Sequence, residues 1–194
     1  MQREQQKSAG LERLTAALAA SKGPAPVDRW NPPYCGDLDI RIAADGTWSY
    51  LGSPIGRAPL VKLFSSVLKR EGDRHFLVTP VEKIGIQVED APFQAVQMEV
   101  DGAGEERAIH FRTNVDDVVT VGPEHRLRFE RTARDGAAPY VHVRRDLWAR
   151  VTRAVAYDLI ALGEYRPEPG GLRFGVAAGG LFHGAPWLES DGDV

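Results

Sequence analysis

The chain has 194 residues, with 24 basic and 27 acidic side chains for a net charge of -3, and is 43% hydrophobic and 26% charged. That length supports a real core, as one domain or two small ones. The composition excludes extended disorder away from the ends, and the charge excludes an overall field that would gather nucleic acid or an anionic membrane. The single cysteine, Cys35, excludes an intramolecular disulfide, and no segment approaches the roughly 18 apolar residues of a bilayer span. With no basic and apolar leader pattern at the start, the expectation is a cytoplasmic protein without membrane insertion.

Residues 1–22 place Leu11, Leu14 and Leu18 at i, i+3 and i+7 among alanines, which predicts a short helix with one modest apolar stripe. Gly23 ends it and Pro24 and Pro26 stiffen the next few residues, so 1–27 read as an N-terminal helix and linker. The period then changes to two: Leu38, Ile40 and Ile42 alternate with Asp37, Asp39 and Arg41, as a half-buried strand requires. Asp45-Gly46 signals a hairpin, Trp48 and Tyr50 lie on the return strand, and Pro59 stands where a helix would begin. Leu60, Leu63, Phe64, Val67 and Leu68 share one face of a predicted helix over 60–71, closed by Gly72.

Strands are predicted over 75–79, 83–89, 93–100, 107–113 and 117–121, with turns spaced as in an antiparallel meander. A second helix is predicted over 147–162, with Asp146 as its N-cap and Leu147, Val151, Ala154, Val155, Leu159 and Leu162 inward. "LRFGVAA" adds a closing strand, and 188–194 read as an acidic tail.

The two hairpin-and-helix stretches match each other. Ile40 and Ile42 correspond to Leu127 and Phe129, and Arg57 and Leu60 to Arg144 and Leu147, all at an offset of 87. Asp45-Gly46 and Tyr50 correspond to Asp135-Gly136 and Tyr140 at an offset of 90. Each copy reads strand, Asp-Gly turn, strand, Arg-x-x-Leu, helix, which predicts an internal duplication with units over 28–114 and 115–187.

The run "CGDLDIRIAADGTWSYLGSPIGRAPLVKLFSSVLKREGDRHFLVTPVEKIGIQVEDAPF", above all "DGTWSYLGSPIGR" and "LVTPVEK", resembles the bacterial family catalogued as domain of unknown function 1285, over about residues 28–185. The resemblance implies an α+β protein of two related β-rich units, each capped by a helix and somewhat like pleckstrin-homology domains. No activity comes with it, and signal transduction is suggested only by likeness of fold.

Chemistry is sparse. Asp37 and Asp39 are two apart on one strand and so face one side, where they could act as an acid/base pair, or else form a solvated face beside Arg41. Cys35 belongs to no Cys/His pattern, and the histidines at 75, 110, 125, 142 and 183 show no ligand spacing, so no metal and no cofactor are expected. Ser53 in "GSPIG" departs from a nucleophile elbow and reads as a turn serine. Arg57 precedes a helix N-terminus, where with Ser53 and Gly56 it could hold an anion, and Arg144 takes the matching place in the second unit. The alternative is that Arg57 pairs with Asp37, Asp39 or Asp45 and fixes the turn. Arg144, Arg145, Arg150 and Arg153 cluster around Trp148, but Asp146 interrupts them, which disfavours nucleic-acid binding.

The sequence therefore reads as a non-enzymatic, regulatory module for a small anionic ligand or a partner protein or peptide. The alternative is a small carboxylate-dependent enzyme using Asp37, Asp39 and Glu82. Leu11, Leu14 and Leu18 could also serve a homodimer.

Overall fold

Strand β1 (Tyr34–Ile42) shows the alternation expected of it, with Ile40 and Ile42 fully buried and Asp37, Asp39 and Arg41 exposed. This computed structural model describes residues 25–132 and 136–185. The helix expected within 1–22, the turn residue Asp135 and the tail at 188–194 lie outside the described residues. The chain divides between Asp90 and Ala91 into two compact units.

In the first unit, Asp45 Oδ1 accepts the Thr47 N–H at 2.9 Å and Gly46 takes φ +83°, turning β1 back into β2 (Trp48–Tyr50). Leu51 and Gly52 both have positive φ, 51° and 77°, so a tight two-residue turn leads into β3 (Ser53–Pro54). Helix α1 (Ala58–Ser66) comes next, then β4 (Leu68–Glu71), β5 (Arg74–Val78) and β6 (Lys83–Val88). The sheet runs β3-β2-β1-β6-β5-β4, antiparallel except where β1 and β6 lie parallel at its centre. Buried Thr79 builds the β5–β6 turn: its Oγ1 accepts the N–H groups of Val81 and Glu82, and its own N–H donates to the Glu82 carbonyl.

The second unit contains β7 (Phe93–Asp101), β8 (Ala108–Thr113), β9 (Val118–Thr120), β10 (Leu127–Thr132), β11 (Gly136–Arg144) and β12 (Leu147–Val151). Their order is β10-β11-β12-β7-β8-β9, with β12 and β7 parallel. Helix α2 (Arg153–Ala161) comes after them, then a three-stranded sheet of β13 (Glu164–Glu168), β14 (Gly171–Ala178) and β15 (Leu181–Gly184). Arg107 Nη1 donates to the Leu162 carbonyl just beyond α2 at 3.0 Å, while the Arg107 carbonyl accepts the Gly179 N–H.

Two related units are therefore present, but the match between them is not the one read from sequence. In each sheet two three-stranded meanders lie side by side, the first strand of one parallel to the last strand of the other. This makes β1 correspond to β7 and β4 to β10, whereas the sequence match set β1 against β10. The helix also differs in place, standing between the meanders in the first unit and after both in the second. The division falls after Asp90 rather than after residue 114, because β7 and β8 pair within the second sheet.

Both predicted helices are shorter than expected. Val67 leaves the helical region at φ -108° and ψ 11°, and Leu68 reaches the interior from β4, opposite Leu77, rather than from a helix over 60–71. Residues 147–151 form a strand in which Leu147, Ala149 and Val151 are buried in alternation, so Asp146 caps no helix and Thr152 stands at the N-cap of α2. No helix among the described residues is long and apolar enough to cross a membrane.

Candidate functional site

Ser53 opens β3, and Gly56 and Arg57 lie on the exposed loop that carries β3 into α1. Its shape is set locally: Leu51 holds a left-handed conformation that a non-glycine residue adopts only at a cost, and the Ile55 N–H donates to the Trp48 carbonyl at 2.8 Å. Arg57 occupies the N-cap of α1 through its backbone, its carbonyl accepting the Leu60 and Val61 N–H groups at 2.9 and 3.2 Å. Its guanidinium has no partner among the described residues. Because Pro59 has no N–H and Leu60 has spent its own, Ala58 is the amide left to help an anion in the first turn.

Among the described residues Arg57 pairs with none of Asp37, Asp39 and Asp45, and two of these carboxylates, Asp37 and Asp45, are engaged elsewhere. Arg74 Nη2 donates to Asp37 Oδ1 at 2.7 Å and to the Tyr34 hydroxyl at 3.2 Å. Hydrogen bonds from the Thr47 backbone and side chain pull the Asp45 carboxyl below its ordinary pKa. Asp39 shares the outward face of β1 with Asp37, and its charge is a secondary cause, after burial, of the raised Tyr50 phenol pKa. Glu82 sits in the β5–β6 turn. The three carboxylates proposed for catalysis therefore do not work as a set: one is neutralised and one belongs to a turn.

Around Asp37 the structure assembles a cluster that sequence reasoning did not find. The Arg74 guanidinium carbon lies 5.3 Å from the Tyr34 ring centroid and 5.0 Å from that of Phe76, and Lys83 Nζ lies 5.0 Å from Phe76. Lys83 and Lys69 both hold Glu71, at 2.8 and 3.1 Å, and their hydrogen bonds lower its carboxyl pKa. Gly85 makes the arrangement possible, since a Cβ there would collide with Asp37 Oδ1. The residues come from β1, β4, β5 and β6, which only the parallel β1–β6 pairing brings together.

Arg144 does not match Arg57. It ends β11 rather than preceding a helix, pairs with Asp117, and lies over the Phe93 ring with its guanidinium carbon 4.7 Å from the centroid. It ties the end of β11 to Asp117 and to Phe93 of β7 within the second unit. In the basic cluster that includes it, Trp148 instead stacks under Arg128 at 4.1 Å. Cys35 is exposed, with Sγ 3.4 Å from the Pro33 carbonyl oxygen. His183 is buried and accepts the Leu127 N–H at Nδ1, which fastens β15 to β10, and burial lowers its pKa. Among the described residues no three His, Cys, Asp or Glu side chains converge as metal ligands would.

Two family models cover this architecture. "Domain of unknown function (DUF1285), N-terminal domain" matches residues 25–91, and "Protein of unknown function (DUF1285), C-terminal domain" matches 92–184. The chain belongs to the DUF1285 family. The boundary between the two matches falls one residue beyond the division between the compact units. A DUF1285 family protein from Silicibacter pomeroyi DSS-3, known from a crystal structure, is 50% identical over 88% of this chain and 93% of its own, with a TM-score of 0.80. A second, from Shewanella baltica OS155, is 31% identical over 64% of this chain and 91% of its own, with a TM-score of 0.51. Among curated proteins none matches.

Proposed function

We propose that this DUF1285 protein is a non-enzymatic binding module that takes an anionic group, a carboxylate or phosphate, on the Ser53–Arg57 loop of its first unit. The observation that carries this reading is the state of Arg57. Two exposed arginines of the unit, Arg41 and Arg74, are neutralised by Glu89 and Asp37, whereas the guanidiniums of Arg57 and Arg29 have no partner among the described residues, and of these two only Arg57 stands at the N-cap of an α-helix, after the positive-φ turn at Leu51. A planar guanidinium offers paired donors that fit carboxylate and phosphate.

Peptide addition at the sheet edges is less well supported. One edge, β3, is two residues long and ends in Pro54, and the other, β4, carries Lys69, Arg70 and Glu71, both of which discourage strand pairing. The carboxylate enzyme draws no support, because Asp37 is engaged by Arg74. A regulatory role in signal transduction belongs to this same proposal. It draws on the likeness to pleckstrin-homology domains that the family resemblance implies, and on the succession of six strands and a following helix in β7–β12 and α2.

The test is a thermal-shift screen with inorganic phosphate and with phosphorylated and carboxylated metabolites, run on the wild type and on Arg57→Ala. A ligand at about 100 times its Kd adds about 2.7 kcal/mol, a rise of roughly 5–10 °C for a chain of this size. A rise lost in Arg57→Ala supports the site. A rise that survives the substitution moves binding elsewhere, and no rise with any anion removes the small-anion reading.

A further inference from the structure

Across β7, β8 and β9 of the second unit three polar side chains meet on one face of the sheet. The register sets His110 of β8 opposite Thr120 of β9, and both point outward, because Phe111 and Val119 beside them are buried on the inward face. The Val121 N–H donates to the Ile109 carbonyl at 2.8 Å and the Thr113 N–H to the Asp117 carbonyl at 2.9 Å, so His110 and Thr120 form a pair whose backbones do not bond each other. Side chains approach most closely at such a pair. His110 Nδ1 lies 2.8 Å from Thr120 Oγ1, and Nε2, across the ring, lies 3.3 Å from Asp101 Oδ2 at the end of β7.

We propose that Thr120 is a covalent modification site, whose hydroxyl accepts an acyl group from a thioester or an activated ester. An ionised carboxylate only accepts hydrogen bonds, so the proton of the neutral ring belongs on Nε2 and the Nδ1 lone pair faces the threonine hydroxyl. Carboxylate, imidazole and hydroxyl in this order are what turn a hydroxyl into a nucleophile. None of these residues belongs to the Ser53–Arg57 loop, so the site stands independently of the anion reading.

The backbone supplies a second requirement. Strand β9 is the edge of its sheet, and because Val121 turns its backbone groups toward β8, the Thr120 N–H points to the open side. There the nucleophile's own amide can hold the oxyanion that develops on the acyl carbon. Exposed Val118 shares the outward face two residues away and offers an acyl chain an apolar contact. In the transfer Thr120 Oγ1 bonds to the acyl carbon as its proton passes to His110 Nδ1. The bond from that carbon to the leaving sulfur or oxygen breaks, and the leaving thiol or alcohol departs with the proton.

The test exposes the full chain to p-nitrophenyl butyrate and follows p-nitrophenolate release together with mass spectrometry of the chain and its peptides. The expected result is a butyryl group on Thr120, formed with an initial burst, absent from Thr120→Val and retained in Thr120→Ser. His110→Gln should slow the burst about a hundredfold. Asp101→Asn should slow it as well and Asp101→Glu restore it, since Asp101 acts by orienting the ring. A butyryl group found only on Cys35 or on lysines overturns the proposal, as does the lack of any burst or label. A Thr120 rate unchanged in His110→Gln also overturns it. Should His110→Gln fail to fold, the loss in Asp101→Asn and the recovery in Asp101→Glu decide in its place, and equal rates in the two overturn the assignment.

Discussion

Phe64 is where the stability of the first unit and the geometry of the proposed anion loop meet. Helix α1 spans Ala58–Ser66, shorter than the roughly 12 residues an isolated helix needs, so packing has to hold it. Phe64 is fully buried and stacks on Trp48, with centroids 6.3 Å apart and planes 29° from parallel. A buried phenylalanine withdraws about 200 Å² from water. At about 25 cal/mol per Å², and with about three quarters of that area lost on truncation, Phe64→Ala forfeits about 4 kcal/mol.

Loss of the ring pair adds about 1 kcal/mol. The total is a large share of the 5–15 kcal/mol that holds a typical domain together. Phe64→Leu, which refills most of the space, should cost about 1 kcal/mol. Urea unfolding followed by fluorescence measures both. If the proposed anion site is real, Phe64→Ala should also weaken binding there, because Arg57 caps the helix that Phe64 anchors. A loss of under about 2 kcal/mol for Phe64→Ala would show that α1 is held by something other than this contact.

Gly179 and Gly180 both have positive φ, 58° and 72°, but a Cβ on Gly179 would collide with the Val121 carbonyl and lie 2.7 Å from Gly122 Cα, whereas Gly180 faces open space. Gly179→Ala should therefore cost at least about 1 kcal/mol more than Gly180→Ala by urea unfolding, and equal costs would refute the packing argument. His183 provides a pH dependence. Burial lowers its pKa in the folded chain, so between that value and the ordinary value of about 6.5 the unfolded chain binds the extra proton and stability rises with pH. The contribution is full above about pH 6.5 and is lost as the pH falls toward the folded pKa, at up to about 1.4 kcal/mol per unit. The melting temperature of His183→Gln should fall less between pH 7 and 5.5 than that of the wild type, and parallel slopes would exclude His183 as the cause.

Local patterns in the sequence determined what local forces decide. The alternation of Leu38, Ile40 and Ile42, the Asp45-Gly46 turn, the helix behind Pro59 and most meander strands were legible because each rests on neighbours a few residues apart. Leu68 and Leu147 misled for the same reason. Apolar residues three and four apart satisfy a helix, yet these two are buried from strands that pair with β5 and β11, and that pairing leaves no mark within a short window.

The loop at Ser53, Gly56 and Arg57 could be named from sequence, but whether Arg57 pairs with Asp37 could not. The answer depends on Arg74 claiming Asp37 from 37 residues away, across a sheet in which β1 lies parallel to β6. Tertiary structure alone therefore decided which strands meet, which arginine is spent on which carboxylate, and that Arg144 is a brace rather than a second Arg57. Charges and hydrogen-bonding groups are matched by proximity in space, whereas sequence periodicity records only which face a side chain takes.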